Sequence, residues 1–170
     1  LEEQVKQLRQ ENDALREEMG PFKLNTLWTA DELRVEQLGD LSVGPICVAK
    51  IAKQHMPELA YIRSRPPKER SLWLQWEALN YEDGVLKRDA PEVSTEGQLV
   101  LPEDCRAVAF QQAHFFDSGT HLPCLATLRR LQRQVYWPEM DEDVARRIQG
   151  CEWCRVLYSR PDAKSTCQTK

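Results

Sequence analysis

Long apolar runs are absent from this sequence of 170 residues. No stretch approaches the roughly 20 apolar residues that a membrane-spanning helix needs, and the first residues, Leu1-Glu2-Glu3, lack the basic-then-apolar layout of a secretion signal. An excess of positive charge is also absent, because 23 basic and 27 acidic side chains give a net charge of −4. We therefore expect no membrane partner, and the whole-chain charge is unlike that of a strongly basic nucleic-acid-binding protein.

Hydrophobic residues make up 41% of the chain and charged residues 29%, which is typical of folded protein and excludes disorder throughout. The length suits one ordinary domain or two small ones. Six cysteines could form a disulfide framework, but nothing else in the sequence is typical of a secreted protein, and a chain of this length can bury a core without disulfides. We expect a reducing compartment, the nucleus or the cytoplasm.

A heptad pattern occupies residues 1–22 and predicts a parallel coiled-coil homodimer. Branched or apolar residues at a with Leu at d favour two parallel strands, and a single Asn at a fixes their register. The alternative is one amphipathic helix that packs on its own domain. The predicted dimerisation residues are Leu1, Val5, Leu8, Asn12, Leu15 and Met19.

Residues 27–101 predict a small α+β module. Thr29 and Glu32 have the spacing of a capping box that begins a helix. Two further helices are predicted at residues 46–55 and 68–79, separated by an extended linker at residues 65–68. The second of these helices places Trp73 and Trp76 on one face as core residues. Glu82-Asp83-Gly84 lies between two short apolar segments and predicts a β-hairpin, and residues 98–101 could add a third strand.

The most informative residues are His114, His121, Cys151 and Cys154. Two imidazoles and two thiolates form a complete tetrahedral ligand set for Zn²⁺. A Cys-x-x-Cys pair alone also occurs at redox sites, but the two upstream histidines favour one structural zinc per chain. A catalytic zinc is disfavoured because four protein ligands leave no position for water.

Three helices are predicted around these residues. The first begins near Pro102 and reaches His114, the second has an apolar stripe from Leu125 to Val135, and the third ends at Gly150. Cys151 and Cys154 are then expected in the turn beyond the third helix. Cys47 and Cys105 are expected to be small buried residues on helices.

The pattern His114-x6-His121-x29-Cys151-x2-Cys154, with Tyr136-Trp137-Pro138-x-Met140 inside it, resembles the HHCC zinc-binding amino-terminal domain of retroelement integrases. The likeness is to the Ty3/gypsy type and spans roughly residues 27–160. Segments similar to the extension that precedes HHCC in those elements are Trp28-Thr29-Ala30-Asp31-Glu32-Leu33, Trp73-Leu74-Gln75-Trp76 and Asp83-Gly84-Val85-Leu86.

This resemblance implies a zinc-stabilised helical bundle, similar to helix-turn-helix proteins, that helps integrase multimers assemble and contacts element-end DNA. Two features depart from the family. Pro123-Cys124 replaces the Gly that often follows the second His-Leu, which makes Cys124 an alternative ligand. The family's catalytic core, with its three acidic metal ligands, should follow Cys154, and the printed sequence ends at Lys170.

The predicted function is that of a non-catalytic, dimeric, zinc-binding module of integrase ancestry that contacts nucleic acid, with other proteins as further partners and no small-molecule substrate. It could belong to a host gene derived from a captured retroelement. The alternatives are a fragment of an active gypsy-type integrase and a protein–protein scaffold that binds no DNA. Residues 122–170 carry 9 basic and 6 acidic side chains, against 14 and 21 in residues 1–121. The candidate DNA contacts are Arg129, Arg130, Arg133, Arg146 and Arg147.

The predicted fold class is mainly α. It comprises a coiled coil at residues 1–22, the α+β module with its hairpin at 27–101, a zinc-stabilised three-helix HHCC bundle at 102–160 and a disordered tail at 161–170.

Overall fold

The computed structural model describes residues 26–116 and 118–157. This part of the chain is rich in helix and contains eight α-helices and one four-stranded sheet. The predicted coiled coil of residues 1–22 and the predicted tail of residues 161–170 lie outside the described residues. The helices are α1 (Ala30–Gly39), α2 (Gly44–Ile51), α3 (Leu59–Ser64), α4 (Pro67–Trp73), α5 (Glu103–His114), α6 (Cys124–Gln132), α7 (Met140–Gln149) and α8 (Glu152–Leu157). The strands are β1 (Leu79–Glu82), β2 (Val85–Arg88), β3 (Gln98–Val100) and β4 (Val135–Tyr136).

The predicted capping box at the start of α1 is confirmed. The Thr29 hydroxyl accepts a hydrogen bond from the Glu32 backbone N–H, and the Glu32 carboxylate accepts one from the Thr29 N–H at 2.7 Å. At the other end of the helix, one carboxylate oxygen of Asp40 accepts hydrogen bonds from the next turn, and its second oxygen accepts the Glu103 N–H at 2.7 Å. Asp40 therefore satisfies a backbone donor at the start of α5 that no neighbouring side chain caps.

The predicted β-hairpin is also confirmed, because β1 pairs antiparallel with β2 across a two-residue turn. Asp83 and Gly84 in this turn have φ angles of 52° and 81°. A type I′ turn requires these left-handed conformations at both central residues, and Gly adopts them without steric cost. The third strand is present as β3, which pairs antiparallel with β2.

The fourth strand was not predicted. The sequence places Val135 at the end of a helical apolar stripe, but α6 ends at Gln132, and β4 pairs parallel with β3. The N–H of Leu101 donates to the Tyr136 carbonyl at 2.8 Å and extends this pairing. The strand joins the sheet to the helices that carry the zinc ligands.

Several helix boundaries between residues 46 and 79 were predicted wrongly. The helix predicted at 46–55 ends at Ile51, and α3 was missed. The extended linker predicted at residues 65–68 is limited to Arg65 and Pro66, because Pro67 is the first residue of α4. That helical position tolerates Pro since its N–H would be unpaired anyway. The helix predicted at 68–79 ends at Trp73, and Leu79 begins β1.

Two clusters of buried apolar residues stabilise the fold. The first combines Leu33, Val85 and Leu99 with apolar residues of α5 to α8. It therefore contains residues of both the predicted α+β module at 27–101 and the predicted HHCC bundle at 102–160. The second packs α2, α3 and α4 against the hairpin and includes Trp73 and Trp76, which confirms their prediction as core residues.

Cys47 and Cys105 are buried on helices, as predicted. Burial raises the pKa of the Cys47 thiol to about 12 and that of Cys105 to about 11. No helix in the described ranges is long and apolar enough to cross a lipid bilayer.

Candidate metal centre

The first two candidate ligands are brought together by a tight loop after α5. His114 is the last residue of α5, and the chain turns at Gly119, whose φ is +80°. The Leu122 N–H then donates to the His114 carbonyl at 2.8 Å, and Phe115 and His121 form an antiparallel bridge. This return places the His114 and His121 rings 5.0 Å apart, measured between centroids.

The two cysteines are presented by the junction between α7 and α8. Gly150 ends α7, and the Cys151 N–H donates to the Ile148 carbonyl at 3.0 Å. Cys154 lies in the first turn of α8, and the Arg155 N–H donates to the Cys151 carbonyl at 2.9 Å. The sequence predicts both cysteines in a turn beyond a third and last helix. The structure instead has four helices in this region, with Cys154 on the fourth.

The four side chains form a single cluster in which every ligand atom lies within 4.8 Å of every other. Cys151 Sγ is 3.3 Å from His121 Nδ1, and Cys154 Sγ is 3.4 Å from His114 Nε2 and 3.8 Å from His121 Nδ1. Typical Zn–S and Zn–N bonds at a tetrahedral angle place sulfur and nitrogen about 3.5 Å apart. The observed distances lie on both sides of this value, so the cluster is suited to one zinc ion.

A buried hydroxyl sets the orientation of the His114 ring. Its Nδ1 lies 3.3 Å from the Thr127 hydroxyl oxygen, and that hydroxyl is placed to donate to the Pro123 carbonyl at 3.0 Å. The Thr127 oxygen can therefore accept the Nδ1 proton, which leaves the lone pair of Nε2 facing Cys154. Such a contact fixes the tautomer of a metal-binding histidine and makes it a better donor.

Burial sets the protonation of the metal-free cluster. It lowers the pKa of His114, with a further contribution from His121, and so favours the neutral imidazole that a metal needs. Burial also raises the pKa of Cys154 to about 11, and the adjacent Cys151 thiol adds to that shift. A divalent cation must displace the thiol protons, and its charge then compensates for burying the thiolates.

Cys124 is not a member of this cluster. It is the first residue of α6 and is buried in the first apolar cluster. The ligand set is the His2Cys2 combination that the spacing predicts, without the alternative ligand.

Three aromatic rings surround the histidines, and sequence reasoning missed their role. Phe110 stacks on His114 at 5.0 Å, Phe115 packs edge-on against His121 at 4.3 Å, and Trp153 lies 6.1 Å from His121. The position of Phe110 four residues before His114 on a helix was the one available signal for a contact.

The five candidate DNA-binding arginines occupy different environments. Arg129 and Arg133 are exposed. Arg130 is half-buried, donates to the Ala113 carbonyl at 3.3 Å and lies over the Phe116 ring, which makes it part of the packing around the zinc loop. Arg146 and Arg147 form ion pairs with Asp143 at 3.2 and 3.1 Å.

Residues 101–157 match the family model described as the integrase zinc binding domain. No curated protein and no solved structure matches the chain. The family match covers less than half of the chain and includes all four clustered ligands. This match, together with the clustered ligands, supports an integrase-related HHCC domain in this part of the chain.

Proposed function

We propose that this chain acts as a non-catalytic assembly module that contacts nucleic acid and pairs with a second copy through residues 1–22. The observation that carries the proposal is the complete His2Cys2 cluster inside the segment that matches the integrase zinc binding domain. Four protein ligands fill a tetrahedral zinc, so the ion stabilises the fold and has no open position for a reacting water. The function of the module is then binding.

The nucleic-acid contact is proposed for α6. Arg129 lies on this helix and Arg133 directly follows it, and both are exposed. The net positive charge of residues 122–170 favours a polyanion at this end of the chain. Each arginine that neutralises one phosphate releases counterions and steepens the salt dependence of binding.

The first test compares wild type with an Arg129→Ala, Arg133→Ala double variant on a 20-base-pair duplex. If each arginine contacts one phosphate, the slope of log K against log salt should shrink by about 2 in the double variant. Fluorescence anisotropy at several salt concentrations measures this slope. Arg63→Ala is the matched control, because Arg63 is exposed on α3, a helix that belongs to the second apolar cluster and not to the helices around the metal centre. An unchanged slope in the double variant would refute the α6 contact.

The assembly role predicts a dimer in light scattering. A single helix of three heptads has marginal stability in water. We therefore expect residues 1–22 to be helical only when they pair with the same segment of a second chain. Removing residues 1–20 should convert the dimer to a monomer while leaving the zinc content at one ion per chain. A truncated chain that remains dimeric would place the main dimer contact elsewhere.

A second candidate function is a protein–protein scaffold without DNA binding. Several large apolar side chains on α1, α2 and the turn between them are exposed, including Leu41 at 92% and Val35 at 65%. Exposed apolar side chains on neighbouring elements are the observation that favours this candidate. Wild-type protein that binds no nucleic acid at any salt concentration would favour the scaffold.

A further inference from the structure

The zinc cluster carries an aromatic surface on its outer side, formed by the exposed rings of Phe115 and Trp153 and the half-buried ring of His121 between them. The rings are continuous, since the His121 centroid lies 4.3 Å from that of Phe115 and 6.1 Å from that of Trp153. Trp153 is 69% exposed and Phe115 is 40% exposed. All five tryptophans lie in the described ranges, and the other four are buried or half-buried.

Stability does not explain this surface. On α8, Cys154 is buried beneath the helix as a ligand, whereas the neighbouring Trp153 points its indole largely into solvent. Exposing an indole forgoes the burial of about 200 Å² of mainly apolar area that a core tryptophan gains. Trp73, Trp76 and Trp137 are buried in the core and gain this area, whereas Trp153 is not buried and does not.

The size and charge of the surroundings favour a nucleic-acid occupant over a protein. A stable protein interface buries about 800 Å² on each partner from some 20 residues or more, and three rings supply only a fraction of that. Arg155 is exposed on the same helix, two residues after Trp153. Glu152 on α8 is an acidic neighbour among the described residues, and Asp117 follows Phe116 in the sequence. Aromatic faces beside arginines are the combination that binds unpaired bases, because every base has a π-face and every nucleotide a phosphate.

We propose that this aromatic surface stacks unpaired nucleobases of single-stranded DNA or RNA, with Trp153 as the principal platform. The proposal rests on the proposed nucleic-acid function and assigns to it a second contact, separate from Arg129 and Arg133. A stacked base should quench the Trp153 fluorescence, and this signal is specific because the other tryptophans are less accessible.

The test uses zinc-loaded full chain with two single-stranded probes, a 12-mer of deoxythymidine and a 12-mer of uridine, and a 12-base-pair duplex. Trp153→Leu removes the ring, and Trp153→Phe retains an aromatic face. Leu41→Ala is the control at an exposed apolar position far along the chain from the zinc cluster. Zinc content and thermal midpoint are measured for each variant, and we expect them to match wild type because the side chain is mostly exposed.

Binding of one or both single strands should weaken by about five- to a hundredfold in Trp153→Leu and less in Trp153→Phe, while duplex binding is unchanged. The more affected strand identifies DNA or RNA as the preferred source of the bases. Equal single-strand affinity in Trp153→Leu and wild type overturns the stacking surface. If the protein binds no nucleic acid and instead self-associates in a way that depends on Trp153, the stacking proposal is overturned and the surface is a protein contact. If duplex binding still depends on Arg129 and Arg133 in either case, the proposed function stands without this second contact.

Discussion

Removing zinc from this protein is expected to unfold α5 to α8 while leaving much of the hairpin side folded. The four ligands tie the end of α5, the returning loop and the α7–α8 junction to one point. Without the ion, the buried Cys154 thiol, the half-buried Cys151 thiol and two imidazoles remain in a small cluster, and α8 has only six residues with which to hold its place. Structural zinc contributes about 10–16 kcal/mol in isolated fingers. We expect at least about 10 °C of lost thermal stability here, since 1 kcal/mol corresponds to about 2–4 °C for a chain of this size.

Metal analysis and circular dichroism with and without chelator measure this effect. One zinc per chain should be found, and the chelated protein should lose part of its helical signal. A His121→Ala, Cys151→Ser double variant should reproduce the chelated state without chelator. His55→Ala is the matched control, because His55 is exposed and outside every helix. Full zinc retention in the double variant would refute the ligand assignment.

The same site predicts a pH dependence of zinc affinity. The thiols bind zinc as thiolates, and burial raises the pKa of Cys154 to about 11 in the metal-free cluster. Zinc therefore competes with protons, and affinity should fall as pH decreases from 8 to 6. Competition with a chelating dye at several pH values measures the change. Affinity that is independent of pH across this interval would mean that the thiols are not ligands.

The zinc ligands could be predicted from the sequence because their information is local and chemical. Residue type and spacing specify a ligand set, and the short loop from His114 to His121 has few ways to close. The supporting contacts could not be predicted. Thr127 reaches His114 only through the packing of α6 against α5, and Trp153 reaches His121 only because α8 turns back over the loop.

The fold also has features that could be predicted from neighbouring residues and features that could not. The capping box at Thr29 and the turn at Asp83-Gly84 depend on a few neighbouring residues, and both were predicted. β4 depends on a partner more than 30 residues away, and its Val135 continues a helical spacing in the sequence. Leu79 fits a helical stripe after Trp76 equally well, and only its pairing with β2 decides for a strand. Periodicity does not resolve such short apolar segments.

The role of the buried polar residue Gln37 could not be predicted either, because its partners lie far away in the sequence. It lies within α1 and is fully buried. Its amide oxygen accepts the Leu86 N–H at 2.8 Å, and its amide nitrogen donates to the Leu86 carbonyl at 3.0 Å and to the Val100 carbonyl at 2.7 Å. β2 and β3 pair through Lys87 and Leu99, and the next residues along the ladder are Leu86 and Val100. Gln37 therefore replaces the backbone pairing at the point where the two strands separate.

Replacing Gln37 with Leu should destabilise the protein by about 3–5 kcal/mol. The new side chain fills similar space but leaves one buried N–H and two buried carbonyls without the amide, and each unsatisfied group costs about 1–3 kcal/mol. Urea denaturation of the zinc-loaded protein measures the change in the free energy of unfolding. Gln112→Leu on α5 is the matched control, because Gln112 is exposed and should change stability by less than about 0.5 kcal/mol. Equal stability in the two variants would contradict this role.

Gln37→Glu separates hydrogen bonding from shape, because the side chain keeps its size and loses its amide donors. An ionised carboxylate can still accept the Leu86 N–H, but it faces the two carbonyls with a buried negative charge. Burial disfavours that charge, so the pKa of the introduced carboxyl is raised in the folded state above its unfolded value of about 4.3. A group with a raised folded pKa favours folding only while it is protonated, and this contribution is lost as pH rises toward the folded pKa. The stability lost relative to wild type should therefore be larger at pH 8 than at pH 5, whereas the loss in Gln37→Leu should be the same at both. A loss in Gln37→Glu that does not depend on pH would mean that the two carbonyls have other partners and that the amide bridges the strands by shape alone.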